Sequence, residues 1–332
     1  MKTKQIVAFV VAAAVFMVTG VASVAINTWS STSTKKNALK TLLMESAGSV
    51  TTPLEDYVAI IDIEGTLYST PATSAWGESS GYNHPNTMKY VDQLMEDKYN
   101  KAILLNVNTP GGEVMAADDL YLKLMEYKEK TGRDIYCYFG SQACSGGYYI
   151  AMASDEIYAN RNCWTGSIGV IISLTNLKGL YEKLGIEEVN ITSGSNKDMG
   201  SAGKELSTEQ YSILQSLVDE AYDQFVGIVA DGRDLDESVV RKLADGRIYS
   251  AKQALENDLI DGICTQEEYF AKVQEKVGYD VEMFECPKEE NPFASLFATA
   301  KELKPKSDAE VVTELIESEK MGGLMYYADI LK

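Results

Sequence analysis

The sequence predicts an α/β fold built on a mainly parallel sheet. Three features lead there. Short apolar, β-branched runs recur along the chain, glycine-rich turns close two of them, and segments with helical spacing lie between them.

Taken in order, Val58 to Ile63 is a buried-strand run ending at Gly65. A polar loop to about Pro85 follows. "NTMKYVDQLMEDK" then has helical spacing and opens with a cap at Asn86. "KAILLNVN" is a second buried strand, "TPGGEV" a sharp turn, and "EVMAADDLYLKLMEYKEKTG" a helix closed by Gly132. "DIYCYF" is a third strand; it leads through a turn at Ser145 into the helix "GGYYIAMAS". "EIYA" and "IGVIIS" read as further strands, "TNLKGLYEKLG" as a helix and "EEVNITSG" as extended. The long helix "STEQYSILQSLVDEAYDQFVGIVADG" carries an apolar stripe from Leu214 and Leu217 through Ala221 and Phe225 to Val229. "SAKQALENDLID" is a shorter helix. No internal repeat of the main unit is visible.

The ends differ from this body. Lys2 and Lys4 precede an almost uncharged apolar run from Ile6 to about Ile26. That run is about 20 residues, the length of a membrane span. A cleaved signal peptide has an apolar core of only about 7–15 residues. Val21 to Ser23 offers a cleavage site, but an uncleaved anchor is the favoured reading. Lys35, Lys36 and Lys40 follow the span and blur the orientation signal. A short N-terminal stub with an external body is the simplest topology. The expected organisation is therefore an anchor over 1–28, a Ser/Thr/Lys-rich linker over 29–55, one domain over 56–270 and a C-terminal extension over 271–332.

Composition excludes some functions. The 332 residues carry 30 Lys+Arg against 49 Asp+Glu, a net charge of −19. Nucleic acid is not an expected partner, because phosphate contacts need Lys and Arg. The five cysteines (Cys137, Cys144, Cys163, Cys264, Cys286) form no CxxC pair and cluster with no histidine, so neither zinc nor a disulfide framework is expected. They read as buried free thiols. The one histidine, His84, lies in the polar stretch "SSGYNHPNT", which reads as a surface loop. A Ser-His-Asp triad is accordingly not expected.

The chemistry gathers at two glycine turns after successive strands: Gly111 and Gly112 in "NTPGGEV", and Ser145, Gly146 and Gly147 in "ACSGGYY". In a parallel sheet such turns meet at the carboxyl edge, where ligands bind. Glycines allow close approach of backbone N–H groups, and a helix opening after Ser145 adds free donors. Together they would suit an oxyanion hole beside a serine hydroxyl. The pattern loosely echoes the GxSxG elbow, with Ala143 at the first glycine position. Small residues at such a turn also serve plain packing. A serine nucleophile needs a base, and "TSGSNKDMGSAGKEL" offers Lys197 and Lys204. Residue physics does not choose between them, since a solvated surface lysine is the commoner case.

"NTPGG", "ACSGGYYIAMASDEIYA", "TGSIGVI", "SGSNKDMGS" and "ADGRIYSAKQALENDLID" resemble, in order, the signature blocks of the signal peptide peptidase A family. They span roughly residues 55 to 265 and match the short, single-repeat form of Gram-positive bacteria. The resemblance implies a ClpP/crotonase-like fold of repeated β-β-α units and a membrane-bound Ser-Lys protease needing no metal or organic cofactor. It implies Ser145 as nucleophile, Lys197 as general base and Ser167 as the serine that orients the lysine. Gly112 and Gly146 fall at the oxyanion-hole positions, with Gly111 open as the alternative within its pair. Thr109 stands where many members have serine, and "MGSAGKEL" is a variant loop whose Lys204 adds a second positive charge. The resemblance further implies dome-shaped homo-oligomers, octamers, in which serine and lysine come from adjacent subunits. Its substrates would be signal peptides and other short apolar peptides, met at the cell membrane by an extracellular catalytic domain. The tail "GGLMYY" resembles C-termini that occupy the substrate groove. Two rival readings are a crotonase-type acyl-CoA enzyme and a non-catalytic membrane scaffold.

Overall fold

Why the chain folds around one sheet is visible in its strands. The computed structural model describes residues 52–70, 81–285 and 325–327. β1 (Tyr57–Glu64) and β2 (Asn100–Thr109) are buried on both faces, as near-continuous apolar runs require. They pair in parallel, and β2 pairs in parallel with β4 (Ile135–Cys144). Between β2 and β4 come β3 (Gly111–Glu113) and the helix α2 (Val114–Thr131). α1 (His84–Glu96) connects β1 to β2, and α3 (Gly146–Ala151) follows β4.

β4 changes partner along its length. Tyr136–Phe139 pair with β5 (Glu156–Ala159), whereas Gln142–Cys144 pair with β6 (Trp164–Gly166). β7 (Ile248–Ser250) adds to β6 antiparallel, β8 (Gly262–Ile263) adds to β5 in parallel, and β9 (Glu282–Glu285) adds to β1 in parallel. Among the described residues only β7 on β6 and β10 (Met325–Tyr327) on β3 are antiparallel pairs. This mixed α/β architecture is consistent with the ClpP-like fold.

Helices cover both faces of the sheet. α2 buries Ala116, Ala117, Leu120, Leu124 and Tyr127. On the opposite face, Val58, Ile60, Leu104 and Tyr138 pack with Tyr269 and Val273 of α8 (Gln266–Val277). The remaining helices are α4 (Lys178–Leu184), α5 (Thr208–Arg233), α6 (Glu237–Leu243) and α7 (Ala251–Glu256). Ser207 opens α5 with a reciprocal capping box to Gln210, which fixes its start.

Three expectations are corrected. α1 begins at His84, capped by Asn83 rather than Asn86, because Pro85 fits the first helical turn. "IGVIIS" forms no strand beyond a single bridge at Ile171; "EEVNITSG", read as extended, lies outside the sheets, with Val189 and Ile191 72% and 99% exposed. α4 between them buries no residue. The stripe on α5 is fully buried only from Ala221 onward; Leu214 and Val218 are half-buried and Leu217 stays 43% exposed. No described helix is long and apolar enough to cross a membrane; the expected span at 1–28 and linker at 29–55 lie outside the described residues, except that 52–55 are seen.

Candidate active site

The carboxyl ends of β1, β2, β4 and β6 converge, and the expected residues sit on them. Ser145 joins β4 to α3 as the helix N-cap, with φ 53° and ψ −115°. Non-glycine residues are rarely found there, and the strain is of order 1–3 kcal/mol. Its N–H donates to the Gly166 carbonyl at 2.7 Å. The residue is 1% exposed, yet its Oγ has no hydrogen-bond partner among the described residues. Leaving a buried hydroxyl unpaired adds about 1–3 kcal/mol more. A serine serving packing alone would be rid of both penalties by a small apolar replacement on a relaxed turn. Here strain and an unspent hydroxyl coincide, as they do where a side chain is held ready for reaction.

The backbone donors lie beside it. Gly146 opens α3, so its N–H has no acceptor inside the helix. A Cβ on Gly146 would stand 3.4 Å from the Gly111 Cα and 3.1 Å from Leu67 Cδ1, which puts β3 against the helix mouth. A Cβ on Gly147 would meet Thr109 Cγ2 at 2.5 Å, so only glycine lets α3 cross the end of β2 this closely. Thr109 ties the strand ends together: its hydroxyl donates to the Gly65 carbonyl at 2.5 Å and accepts from the Gly111 N–H at 3.1 Å.

Residues 67–69 form a strap that the sequence reading missed. The Leu67 N–H donates to the Gly111 carbonyl at 2.9 Å and the Glu113 N–H donates to the Leu67 carbonyl at 2.8 Å. Ser69 donates through both N–H and Oγ to Glu113 Oε2. With Gly111 and Glu113 engaged there, strand alternation leaves the backbone groups of Gly112 for the opposite edge. That edge is the one β10 takes, with Tyr326 opposite Gly112. Leu67, apolar and set just after Gly65 in a mostly polar loop, was the available signal.

Ser167 follows Gly166, whose carbonyl holds Ser145. It also has a left-handed backbone, φ 50°, is 8% exposed, and donates its N–H to the Arg247 carbonyl at 2.8 Å. Ser145, Gly146, Gly111, Gly112 and Ser167 are thus brought together within one chain. Lys197 is not joined to them. It is exposed, in the loop after α4, and lines an open cavity of ≈ 520 Å³ with Val189, Ile191 and Met199. The partnerless Ser145 Oγ receives no hydrogen bond from it. Lys204 forms an ion pair with Asp198, which holds that carboxyl below its usual range. The extra positive charge is therefore matched locally.

Other titratable groups fill in the surroundings. His84 is not a surface residue: it is 7% exposed, its Nδ1 lies 2.8 Å from the Tyr82 hydroxyl, and its Nε2 lies 3.6 Å from Asp119. The polar loop looked solvated in sequence, but Tyr82 folds onto it. Burial lowers the imidazole pKa, with Asp119 opposing. Cys137, Cys144 and Cys163 are buried free thiols and Cys264 is half-buried; Cys286 lies outside the described residues. Burial pushes the Cys144 thiol, next to Ser145, up to about 12. No group of His, Cys, Asp and Glu suited to a metal occurs among the described residues.

Residues 127–280 match the model for peptidase family S49. An Enterococcus faecium protein assigned by name to the signal peptide peptidases, SppA, is 39% identical over 236 residues, covering 71% of this chain and 68% of its own. A Synechocystis protein assigned by name to the proteases is 41% identical over 205 residues, 62% of this chain and 73% of its own. The chloroplast serine protease SPPA of Arabidopsis thaliana is 28% identical over 63% of this chain and 30% of its own length. With identity of this level across more than two thirds of the first two relatives, the chain belongs to peptidase family S49 and is a serine protease.

Proposed function

We propose that this protein is a membrane-anchored endopeptidase that degrades remnant signal peptides and other short apolar peptides, with Ser145 as nucleophile and Lys197 as general base. The observation that carries the reading is the strained, buried Ser145 hydroxyl at a helix mouth, without a hydrogen-bond partner among the described residues. The Enterococcus relative's name supplies the substrate class.

In the proposed reaction the neutral Lys197 amine takes the Ser145 proton as Oγ attacks the scissile carbonyl. The N–H groups of Gly112 and Gly146 hold the oxyanion, with Ser167 orienting the lysine. The amine then passes its proton to the leaving nitrogen, and water releases the acyl group by the same route. No metal or organic cofactor takes part. A lysine acts as a base only when its amine is neutral, which desolvation or nearby positive charge favours; one chain leaves Lys197 exposed and pairs Lys204 with Asp198. We assign the missing cover to an adjacent subunit of a homo-oligomer, the octamer of the family resemblance. The exposed Ile171, Leu184, Ile186, Val189 and Ile191 support this, because so much apolar surface in one segment marks an interface.

An extended peptide would add to β3 along the edge that β10 takes, so the tail stands in for substrate. The proposed organisation is an anchor over 1–28, a linker over 29–55, a protease domain over 56–270 and an extension over 271–332, with the catalytic domain outside the cell. The test is hydrolysis of a signal-peptide-like substrate by the full chain in detergent. Ser145→Ala and Lys197→Ala should both abolish it, and wild-type rates should rise toward alkaline pH. Turnover surviving Ser145→Ala would refute the assignment.

A further inference from the structure

The helix that carries Ser145 has six residues. A helix that short has no stability of its own, and its N-cap is strained, so it must be held from outside. We infer that the Tyr149 hydroxyl, bound to Asp118 and Gln224, is what keeps Ser145 in register with the backbone donors of β3. This rests on Ser145 being the nucleophile.

Tyr149 closes the first turn of α3 by donating its N–H to the Ser145 carbonyl at 2.9 Å. Its side chain is fully buried, with its ring edge-on to Tyr121 at 5.6 Å and tilted against Phe225 at 5.0 Å. The hydroxyl donates to Asp118 Oδ1 at 2.6 Å. Gln224 Nε2 donates to the same hydroxyl at 2.7 Å and to the same carboxylate oxygen at 3.1 Å.

Each partner comes from a different helix. Asp118 lies in the first two turns of α2, which continues directly from Glu113 of β3. Gln224 belongs to α5. One hydroxyl therefore joins the helix bearing the nucleophile, the helix that extends the oxyanion strand, and the long helix beside both. The apolar part of the site would accept phenylalanine equally well. The hydroxyl adds a charge-assisted bond, which is directional where ring packing is not. What it fixes is the offset between Ser145 Oγ and the β3 edge, a quantity that matters to the transition state far more than to substrate binding.

Tyr149→Phe removes only that oxygen. A misplacement of about 1 Å lowers rates by about a hundredfold, so partial loosening should lower kcat roughly tenfold and leave KM within about twofold. The rate at which a fluorophosphonate labels the full-length protein should fall in parallel, with thermal stability and oligomer size near wild type. Asp118→Ala should reproduce the defect, Asp118→Asn, which keeps the acceptor oxygen, should largely restore kcat, and the Tyr149→Phe/Asp118→Ala double variant should be no worse than either single one. Unchanged kcat in Tyr149→Phe, a loss confined to KM, or equal damage by Asp118→Asn and Asp118→Ala would overturn the inference. Should Tyr149→Phe fail to fold, the Asp118 pair decides alone. Ser145→Ala is run alongside: activity surviving in it sinks the nucleophile assignment, whereas an inert Ser145→Ala with an unimpaired Tyr149→Phe sinks this inference alone.

Discussion

Adding one methyl group at Gly112 should disable the proposed oxyanion strand. An ideal Cβ there would lie 2.0 Å from the Leu67 carbonyl oxygen and 2.6 Å from the Leu67 nitrogen. Both are backbone atoms, so no side chain can swing aside. Moving from 2.0 Å to the 3.4 Å at which ordinary contact begins drives the strap and β3 apart by about 1.4 Å. The two hydrogen bonds between them, now 2.9 and 2.8 Å, do not survive that displacement. At about 1 kcal/mol each, their loss lowers stability by about 2 kcal/mol. The larger effect is on rate: a donor shifted by more than 1 Å forfeits about a hundredfold or more in kcat. Steady-state hydrolysis of a signal-peptide-like substrate by Gly112→Ala should show this, with KM changing far less. Gly132→Ala is the control. Gly132 also has a left-handed backbone, at φ 65°, but nothing lies within 4 Å of its Cβ position and it ends α2 away from the strap. It should lose about 1 kcal/mol of stability and keep its kcat. A folded Gly112→Ala with near-wild-type kcat, or a Gly132→Ala equally inactive, would refute the reasoning.

Three further outcomes are expected. Ser145→Gly relieves the left-handed backbone that Ser145→Ala retains, so thermal melts should place the glycine variant above the alanine one by about 1–2 kcal/mol, or about 2–6 °C, with both inactive; equal melting temperatures would mean the turn is unstrained. The Cys144 thiol, raised to about 12 by burial, stays protonated as pH rises until near that value; iodoacetamide at pH 8 should leave activity intact while a fluorophosphonate abolishes it, and rapid alkylation at Cys144 with inactivation would contradict this. Deletion from Met321 onward frees the β3 edge, and with a tethered occupant at mM effective concentration kcat/KM should rise about two- to tenfold; unchanged turnover would show that β10 does not compete with substrate.

Sequence signals succeeded where local chemistry and tertiary structure agree. The β2 run, the Gly132 helix stop and the Ser145 turn are each specified by adjacent residues, and each stands where it was read. They fail where burial depends on what is not adjacent. "IGVIIS" has the composition of a core strand, yet Ile171 stays 46% exposed, so its apolar neighbours in sequence do not bury it. The upper stripe of α5 fails for the same reason. His84 errs the other way, because its polar neighbours gave no hint that Tyr82 and Asp119 enclose it. The Gly111–Gly112 and Ser145–Gly147 turns were legible in the residues and Ser167 only through the family resemblance, whereas the Leu67 strap and the Tyr149–Asp118–Gln224 cluster join segments far apart in sequence. No pattern short of the fold reveals those.

Ser145 and Lys197 are proposed to act together although one chain does not bring them into contact. The most direct measurement mixes two inactive full-length proteins, Ser145→Ala and Lys197→Ala, under conditions that allow subunits to exchange. Each supplies what the other lacks. If the lysine of one subunit serves the serine of its neighbour, activity absent from both separate preparations returns on mixing and is lost when exchange is blocked by prior cross-linking. No recovery in demonstrably mixed oligomers, or turnover by Lys197→Ala alone, would contradict the account.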